Sequence, residues 1–219
     1  MLFEAAMEET TNLTMRSYDQ TAFSFAEKNY QIEMLEQKAR FTGLLPAGER
    51  PRLLDLGCGP GRDTLYFGQQ GYPVVGADLS AGMLAEAARR VPQGRFVQAD
   101  MRSLPFTAHS FGGIWASASL LHLPRPDAAI ALAEMVRVLA PGGALFLGVK
   151  RGVDASWRGH EGEELRFFFT YYLPSEIWNK VVGAGFEVQA IAENTSSTRI
   201  EPDGQPVRWI NLYALKPTL

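Results

Sequence analysis

Gly57, Gly59 and Gly61 stand at alternate positions after the run Leu53-Leu54-Asp55-Leu56 and just before Arg62 and Asp63. A strand that enters such a turn and leaves as a helix lets backbone approach a ligand at a helix N-terminus, an end that attracts anionic groups such as a free carboxylate. A glycine cluster alone also fits an ordinary strand–helix corner, so its chemistry depends on its neighbours. Asp78 closes the run Val74-Val75-Gly76-Ala77, and a carboxylate at a strand end can accept two hydrogen bonds from a ribose diol. Asp100 closes Phe96-Val97-Gln98-Ala99 and precedes Met101, a pair suited to an exocyclic adenine amine and the ring beside it. Leu79 and Met83 offer a second apolar wall. Each aspartate alone is as readily a helix cap or a surface charge; the three strand ends together point to one nucleoside site.

The elements that must position these residues show as an alternation. Residues 52–56, 73–77, 95–99, 114–119 and 144–149 read as strands, and 63–70, 81–91 and 126–139 between them as helices. Strands separated by helices of this length make parallel βαβ units. The predicted fold class is α/β, an open sheet with helices on both faces and ligands beyond the carboxyl ends of its strands. After residue 150 the alternation breaks, and a helix over 175–184 and strands over 186–192 and 207–215 follow, the strands separated by the polar stretch 193–204. Residues 1–16 are polar and aperiodic and read as a flexible N-terminal tail. Residues 18–45 carry apolar side chains at helical spacing. With no repeat or linker, 17–219 reads as a single domain, with 17–48 as a helical cap and 150–173 as a substrate-side flap or insertion.

The 219 residues are 46% hydrophobic and 21% charged, within the range of a folded globular chain. Twenty-one basic against 24 acidic residues give a net charge of −3, with no basic cluster, which argues against a duplex nucleic-acid partner. The single cysteine, Cys58, excludes an internal disulfide and a cysteine-rich metal site. Glu4, Glu8 and Glu9 near the start do not fit a secretory signal, and no apolar run approaches the roughly 18 residues of a membrane span. A cytoplasmic protein is expected.

The order Asp-Leu-Gly-Cys-Gly-Pro-Gly over 55–61, Asp-Leu-Ser over 78–80 with Met83 three residues on, Ala-Asp-Met over 99–101 and Leu-Ala-Pro-Gly-Gly over 139–143 closely resembles the class I S-adenosylmethionine-dependent methyltransferases. The likeness is strong over about 50–150 and looser at the flanks. It implies a Rossmann-like seven-stranded, mostly parallel sheet whose last strand, 207–215, is antiparallel. It also implies S-adenosyl-L-methionine as cofactor and in-line transfer of a methyl group to a small-molecule acceptor. Carried over by position, Asp55 and the backbone around Gly57 and Gly59 hold the methionine end, and Asp78 binds the ribose. Leu79 and Met83 flank the adenine, Asp100 and Met101 close its edge, and Ser117 lines the methionine moiety. Tyr18 corresponds to a tyrosine that folds over the cofactor; on pattern alone it reads equally as a core aromatic.

A sulfonium methyl is already activated, so the chain must mainly align the reactants and exclude water. A base is needed only when the acceptor arrives protonated. His122, just past the fourth predicted strand, is the candidate catalytic base, although a lone histidine is more often structural; His109 and His160, in predicted loops, have weaker claims. Residues 157–172 hold Trp157, Arg158, His160, Glu161, Glu163, Glu164, Arg166, Phe167, Phe168, Phe169, Tyr171 and Tyr172, a density that fits a flap over an acceptor pocket or an edge strand on the core. Ser117-Ala118-Ser119-Leu120 replaces the Pro-Pro-aromatic motif of enzymes that methylate nucleobase or amide nitrogen, which disfavours that chemistry. Two other readings are a noncatalytic S-adenosylmethionine-binding module or sensor, and a nicotinamide-dependent oxidoreductase, whose Gly-x-Gly-x-x-Gly spacing the chain breaks at Arg62.

Overall fold

Alternation along the central strands divides the apolar side chains between two faces, and each face is covered by its own helices. The computed structural model describes residues 2–48, 50–159, 164–201 and 203–218. Its strands are β1 (Leu53–Leu56), β2 (Val74–Asp78), β3 (Arg95–Gln98), β4 (Phe111–Ser117), β5 (Leu139–Lys150), β6 (Ala155–Arg158), β7 (Phe167–Thr170), β8 (Glu187–Ile200) and β9 (Pro206–Leu215). Its α-helices are α1 (Leu2–Asn29), α2 (Leu35–Thr42), α3 (Arg62–Gln69), α4 (Ala81–Arg90), α5 (Asp127–Val138) and α6 (Pro174–Gly183). On one face Leu53, Trp115, Phe146 and Tyr213 meet Phe41 of α2 and Phe67 of α3, with Trp115 stacked on Phe146 at 3.8 Å between ring centroids. On the other, Leu54, Leu56, Ile114, Leu145 and Leu147 meet Ala131, Leu132 and Met135 of α5 and Ile177 and Val181 of α6. The period of two places consecutive strand residues on opposite faces.

The seven-stranded sheet has the order β3-β2-β1-β4-β5-β9-β8. Pairings from β3 through β5 are parallel, and β9 runs antiparallel to both β5 and β8. This is the Rossmann-like arrangement expected. From β1 the chain builds outward to β2 and β3, then returns to lay β4 on the other side. The carboxyl ends of β1 and β4 therefore flank the point where strand order reverses, and the crevice there is where open α/β sheets take ligands.

Two segments depart from the sequence reading. Residues 2–16, expected as a tail, belong to α1. Over residues 8–17 the buried side chains are the polar Thr11, Thr14 and Ser17. Ser17 Oγ accepts the N–H of Arg166 and donates to its carbonyl, both at 2.8 Å, and Thr14 Oγ1 accepts the N–H of Phe168 at 3.1 Å. A search for apolar periodicity does not register such a stripe. The second departure is β8, which continues to Ile200 through the stretch expected as a polar connection. There Asn194 and Thr195 pair with Trp209 and Arg208 of β9, because ladder hydrogen bonds need no apolar side chains.

Within the flap region, β6 and β7 form a separate two-stranded antiparallel sheet. His160, Glu161 and Glu163 lie outside the described residues.

Thr14→Val combined with Ser17→Ala should remove the acceptors for two β7-side N–H groups and cost about 1–3 kcal/mol in chemical denaturation. Thr21→Ala, whose Oγ1 bonds the Ser17 carbonyl inside α1 at 2.7 Å, should change stability by about 0.5 kcal/mol or less. Equal effects from the two variants would dismiss the tether.

A candidate cofactor and acceptor site at the strand ends

Two glycines, Gly57 and Gly59, open the floor of the site. Gly57 and Gly59 have φ of 74° and 52°, the left-handed region that costs other residues about 1–2 kcal/mol. At Gly57 an added Cβ would lie 2.2 Å from the Cβ of Ser119, whose hydroxyl donates to the Leu56 carbonyl at 2.7 Å. At Gly59 an added Cβ would meet nothing within 4 Å. One glycine thus permits β4 to close on β1, and the other faces open space.

Three amides of the loop are engaged within the protein. Gly57 and Cys58 N–H donate to the Ala77 carbonyl at 2.7 and 3.1 Å, and Gly59 N–H donates to Asp78 at 2.8 Å. The other oxygen of Asp78 accepts from Ser80 N–H at 2.9 Å. Burial nonetheless raises the Asp78 carboxyl above its ordinary value, against the lowering effect of those N–H donors.

A cavity of about 650 Å³ opens here, walled by the loop after β1, the ends of β2, β4 and β5, the inner side of α1 and the far part of the β8–β9 hairpin. Tyr18, Gly57, Gly59, Asp78, Leu79, Met83, Asp100, Met101, Ser117 and His122 all line it.

Asp55 does not line it, which corrects its expected position. Its place in β1 turns the side chain to the α3 face, where it is 3% exposed and accepts the Thr64 hydroxyl at 2.6 Å. Burial, then repulsion from Asp63, raises its carboxyl to about 7. Asp63 is also buried, yet Arg62 and Lys38 hold its carboxyl below the usual range, with Lys38 at 2.8 Å and the Trp115 indole N–H at 2.9 Å. Asp100 lines the cavity while its two oxygens receive Arg102 through Nε at 3.1 and 3.0 Å and Nη2 at 2.6 Å. Arg102 also reaches Asp127 at 2.7 Å.

Tyr18 and His122 form one unit. Tyr18 Oη lies 2.9 Å from His122 Nε2, and His122 Nδ1 lies 2.8 Å from the Phe168 carbonyl. A carbonyl accepts only, so Nδ1 carries the proton and Nε2 accepts from the tyrosine. Burial lowers the imidazole to about 4, and burial followed by the charge of Asp78 raises the Tyr18 phenol. Both groups are therefore neutral near pH 7. The ring expected as a free base thus has both nitrogens engaged and its proton affinity lowered, an arrangement that fixes Tyr18. His109 lies away from the cavity, beside the Leu139 carbonyl at 3.1 Å.

A family profile described as a methyltransferase domain matches residues 53–143. Malonyl-(acyl-carrier protein) O-methyltransferase of Enterobacter lignolyticus is 36% identical over 127 residues, 57% of this chain and 50% of the relative. Demethylmenaquinone methyltransferase of Beutenbergia cavernae is 41% identical over 102 residues, 46% of this chain and 42% of the relative. Burkholderia thailandensis 1,6-didemethyltoxoflavin-N1-methyltransferase, solved with 1,6-didemethyltoxoflavin and S-adenosylhomocysteine, superposes with a TM-score of 0.74 at 20% identity, over 97% of this chain and 91% of that one. The chain holds a class I S-adenosylmethionine-dependent methyltransferase domain. It matches about half the length of the curated relatives.

Several residues of this methyltransferase cavity escaped the sequence reading. Thr11, Thr14, Met15 and Asn29 line it from α1, and their spacing with Tyr18 and Phe25 is helical, a signal hidden by their mixed polarity. Asp19, next to Tyr18, binds Ser80 Oγ at 2.6 Å and Gly82 N–H at 2.9 Å, so α1 also secures the start of α4. Lys150, Asn194, Arg199, Trp209 and Asn211 line the end built by β5, β8 and β9. Lys150 alone had a positional signal, as the residue that closes a strand.

Charging His122 means charging a half-buried ring whose desolvation is the main cost, so its folded value near 4 lies below the ordinary 6.5. Its stabilising contribution is complete above about pH 6.5 and is lost as pH falls from 6.5 toward 4, because the unfolded chain binds the proton first. NMR titration of the folded protein should show the His122 ring neutral down to about pH 5, and His122→Asn should flatten the loss of stability across that window. A ring titrating near 6.5 would contradict the burial argument.

Proposed function

We propose that this protein transfers a methyl group from S-adenosylmethionine to a small-molecule acceptor, in line across the cavity between the strand ends and α1. The observation that carries this reading is Asp78: a half-buried carboxylate at the end of β2, aimed by Gly59 and Ser80 N–H groups and facing the cavity. Those two donors leave lone pairs on both oxygens, the number a vicinal diol needs. Gly59 leaves the space in front of it clear.

In this reading Asp78 binds the ribose, Leu79 and Met83 pack on one side of the adenine, and Met101 packs at its edge beside Asp100. Ser117 lines the methionine portion. With the loop amides spent internally, Arg62 is the donor beside the turn for a carboxylate, and Asp55 supports the turn from behind through Thr64. S-adenosylmethionine, when bound, supplies a methyl carbon on a sulfonium and departs as a neutral thioether. The protein's share of the reaction is to align the acceptor's lone pair opposite the C–S bond and keep water out. Tyr18, fixed by His122, closes over the cavity as part of that seal and presents its hydroxyl oxygen inward as a hydrogen-bond acceptor. The named relatives act on different acceptors, so the choice of acceptor has to come from this cavity's own walls. No helix among the described residues is long and apolar enough to cross a membrane.

The test is calorimetric binding of S-adenosylhomocysteine to the wild type and to Asp78→Asn. Losing two charge-assisted hydrogen bonds should weaken binding by about 10- to 100-fold; the melting temperature should fall, because the introduced amide nitrogen faces one of the two backbone N–H donors, and circular dichroism verifies that the variant remains folded. Release of S-adenosylhomocysteine in the presence of an acceptor then separates the enzyme from a binding module. Wild-type protein that does not bind the nucleoside would end the methyltransferase reading.

A further inference from the structure

The far end of the cavity gathers positive charge from three elements. Lys150 ends β5, Arg158 ends β6 and Arg199 lies near the end of β8, and all three line the cavity. One carboxylate, Glu201, serves two of them: it lies 3.2 Å from Lys150 Nζ and pairs with Arg158. Arg199 has uncharged partners, the Asn29 side-chain oxygen and the Trp209 ring 5.8 Å away. No described carboxylate forms an ion pair with it. Three cations against one anion leave a surplus positive charge at this end, in a chain whose net charge is negative.

Water screens this surplus only in part, as at Arg158, whose side chain is 29% exposed. Lys150 is 4% exposed and sits 4.0 Å over the Phe169 ring. Burial, then the charge of Arg158, lowers its ammonium to about 8, with Glu201 opposing. Burial and the charges of Arg62 and Arg158 lower Arg199 as well. The remaining acids of the cavity do not answer this charge. Asp63 is held by Lys38 and Arg62, Asp100 by Arg102, Asp78 by backbone N–H groups, and Glu33 is an exposed residue of the wall. Like charges kept together out of water are unfavourable until an anion joins them.

A second observation points the same way. Both nitrogens of His122 are engaged, so among the described residues no free imidazole lines the cavity to remove a proton. An acceptor that arrives with its lone pair already available satisfies that site.

We propose that the methyl acceptor of this cavity is a carboxylic acid, bound as the anion through a carboxylate that Arg199 and Lys150 hold, with Arg158 adjoining. The proposal rests on the methyltransferase reading and names its substrate class. The anchored carboxylate is a handle, and the reacting atom lies toward Tyr18. Methyl transfer from a sulfonium to an anionic oxygen annihilates charge, so cations on the reacting oxygen would stabilise the ground state more than the transition state. Cations on a remote carboxylate hold the acceptor equally in both. In the transfer the acceptor's lone pair forms the bond to the methyl carbon as the C–S pair returns to sulfur. An anionic nucleophile such as a second carboxylate then releases no proton.

Binding to protein saturated with S-adenosylhomocysteine tests this, using succinate, glutarate, benzoate and 4-hydroxybenzoate, each against its primary amide. Acids of this panel should bind at least about tenfold more tightly than their amides, and Arg199→Gln and Lys150→Met should each erase about tenfold or more of that preference. Arg151→Gln, which alters the ion pair with Glu193 at 2.7 Å on a residue that does not line the cavity, should keep it. Melting curves on all variants verify folding. Equal binding of acids and amides, acid binding unchanged in both cavity variants, or no acid binding while S-adenosylhomocysteine binds would each overturn the proposal. Failure of S-adenosylhomocysteine itself to bind marks instead the failure of the methyltransferase reading on which it stands.

Discussion

A carboxylate withdrawn from water must be met by donors or it protonates, and at Asp78 two backbone N–H groups meet it. One belongs to Gly59 in the turn after β1, the other to Ser80 at the start of α4. The same charge therefore joins the ends of two adjacent strands and sets the distance between the turn and the helix. Ser80 in turn caps α4 by accepting Met83 N–H and binds Asp19 of α1. A line of hydrogen bonds thus runs from the glycine turn through Asp78 and Ser80 to the helix that closes the cavity. The site is assembled by the hydrogen bonds that keep one half-buried anion charged.

The closure by α1 depends on the same economy of polar contacts. Gly82 lets α1 come so near that an added Cβ would lie 2.7 Å from the Asp19 carbonyl. On the other side Thr14 and Ser17 join β7. Between these two attachments Tyr18 reaches His122, with Phe25 and Phe167 packed edge-on at 5.5 and 4.8 Å. Strain is concentrated beneath this contact: Ala118, at the end of β4, has φ of 56°, a conformation that costs a residue with a Cβ about 1–2 kcal/mol. Its N–H is held by the Gly148 carbonyl at 2.9 Å, so the bend is paired into the sheet that carries Ser117 and Ser119 to the cavity.

The central sheet was legible because its signal is redundant. Apolar runs, glycine turns and helical spacing agree from Leu53 to Val149, and the strand-end aspartates fall where that order requires. Asp55 shows where such a reading stops. Its type and position matched the motif, but the face of a four-residue strand depends on pairing and packing, and these turned it toward Thr64. The two departures in fold share a cause. The hydrogen bonds that secure these segments run to distant partners, from Thr14 and Ser17 to the β7 side in one case and along β9 in the other, and neither partnership leaves a periodic apolar trace. His122 was found by position, but its role was set by Tyr18 and Phe168, contacts separated from it by 104 and 46 residues.

The polarity of the cavity follows from how the fold is joined. The parallel half of the sheet ends in turns that start helices, so its strand ends collect acidic side chains satisfied by backbone N–H groups or by arginine, as at Asp78 and Asp100. The antiparallel half ends in a hairpin that overhangs the sheet, with no helix start beneath it. Its inner surface is therefore free to vary and here carries Arg199, Asn194, Trp209 and Asn211 beside Lys150. In the proposed reading the cofactor belongs to the half whose geometry the βαβ units dictate, and acceptor choice to the half they do not. A chain that changed its acceptor could do so within β6–β9 and α1 while leaving Gly57, Gly59 and Asp78 where the hydrogen bonds of the central sheet hold them.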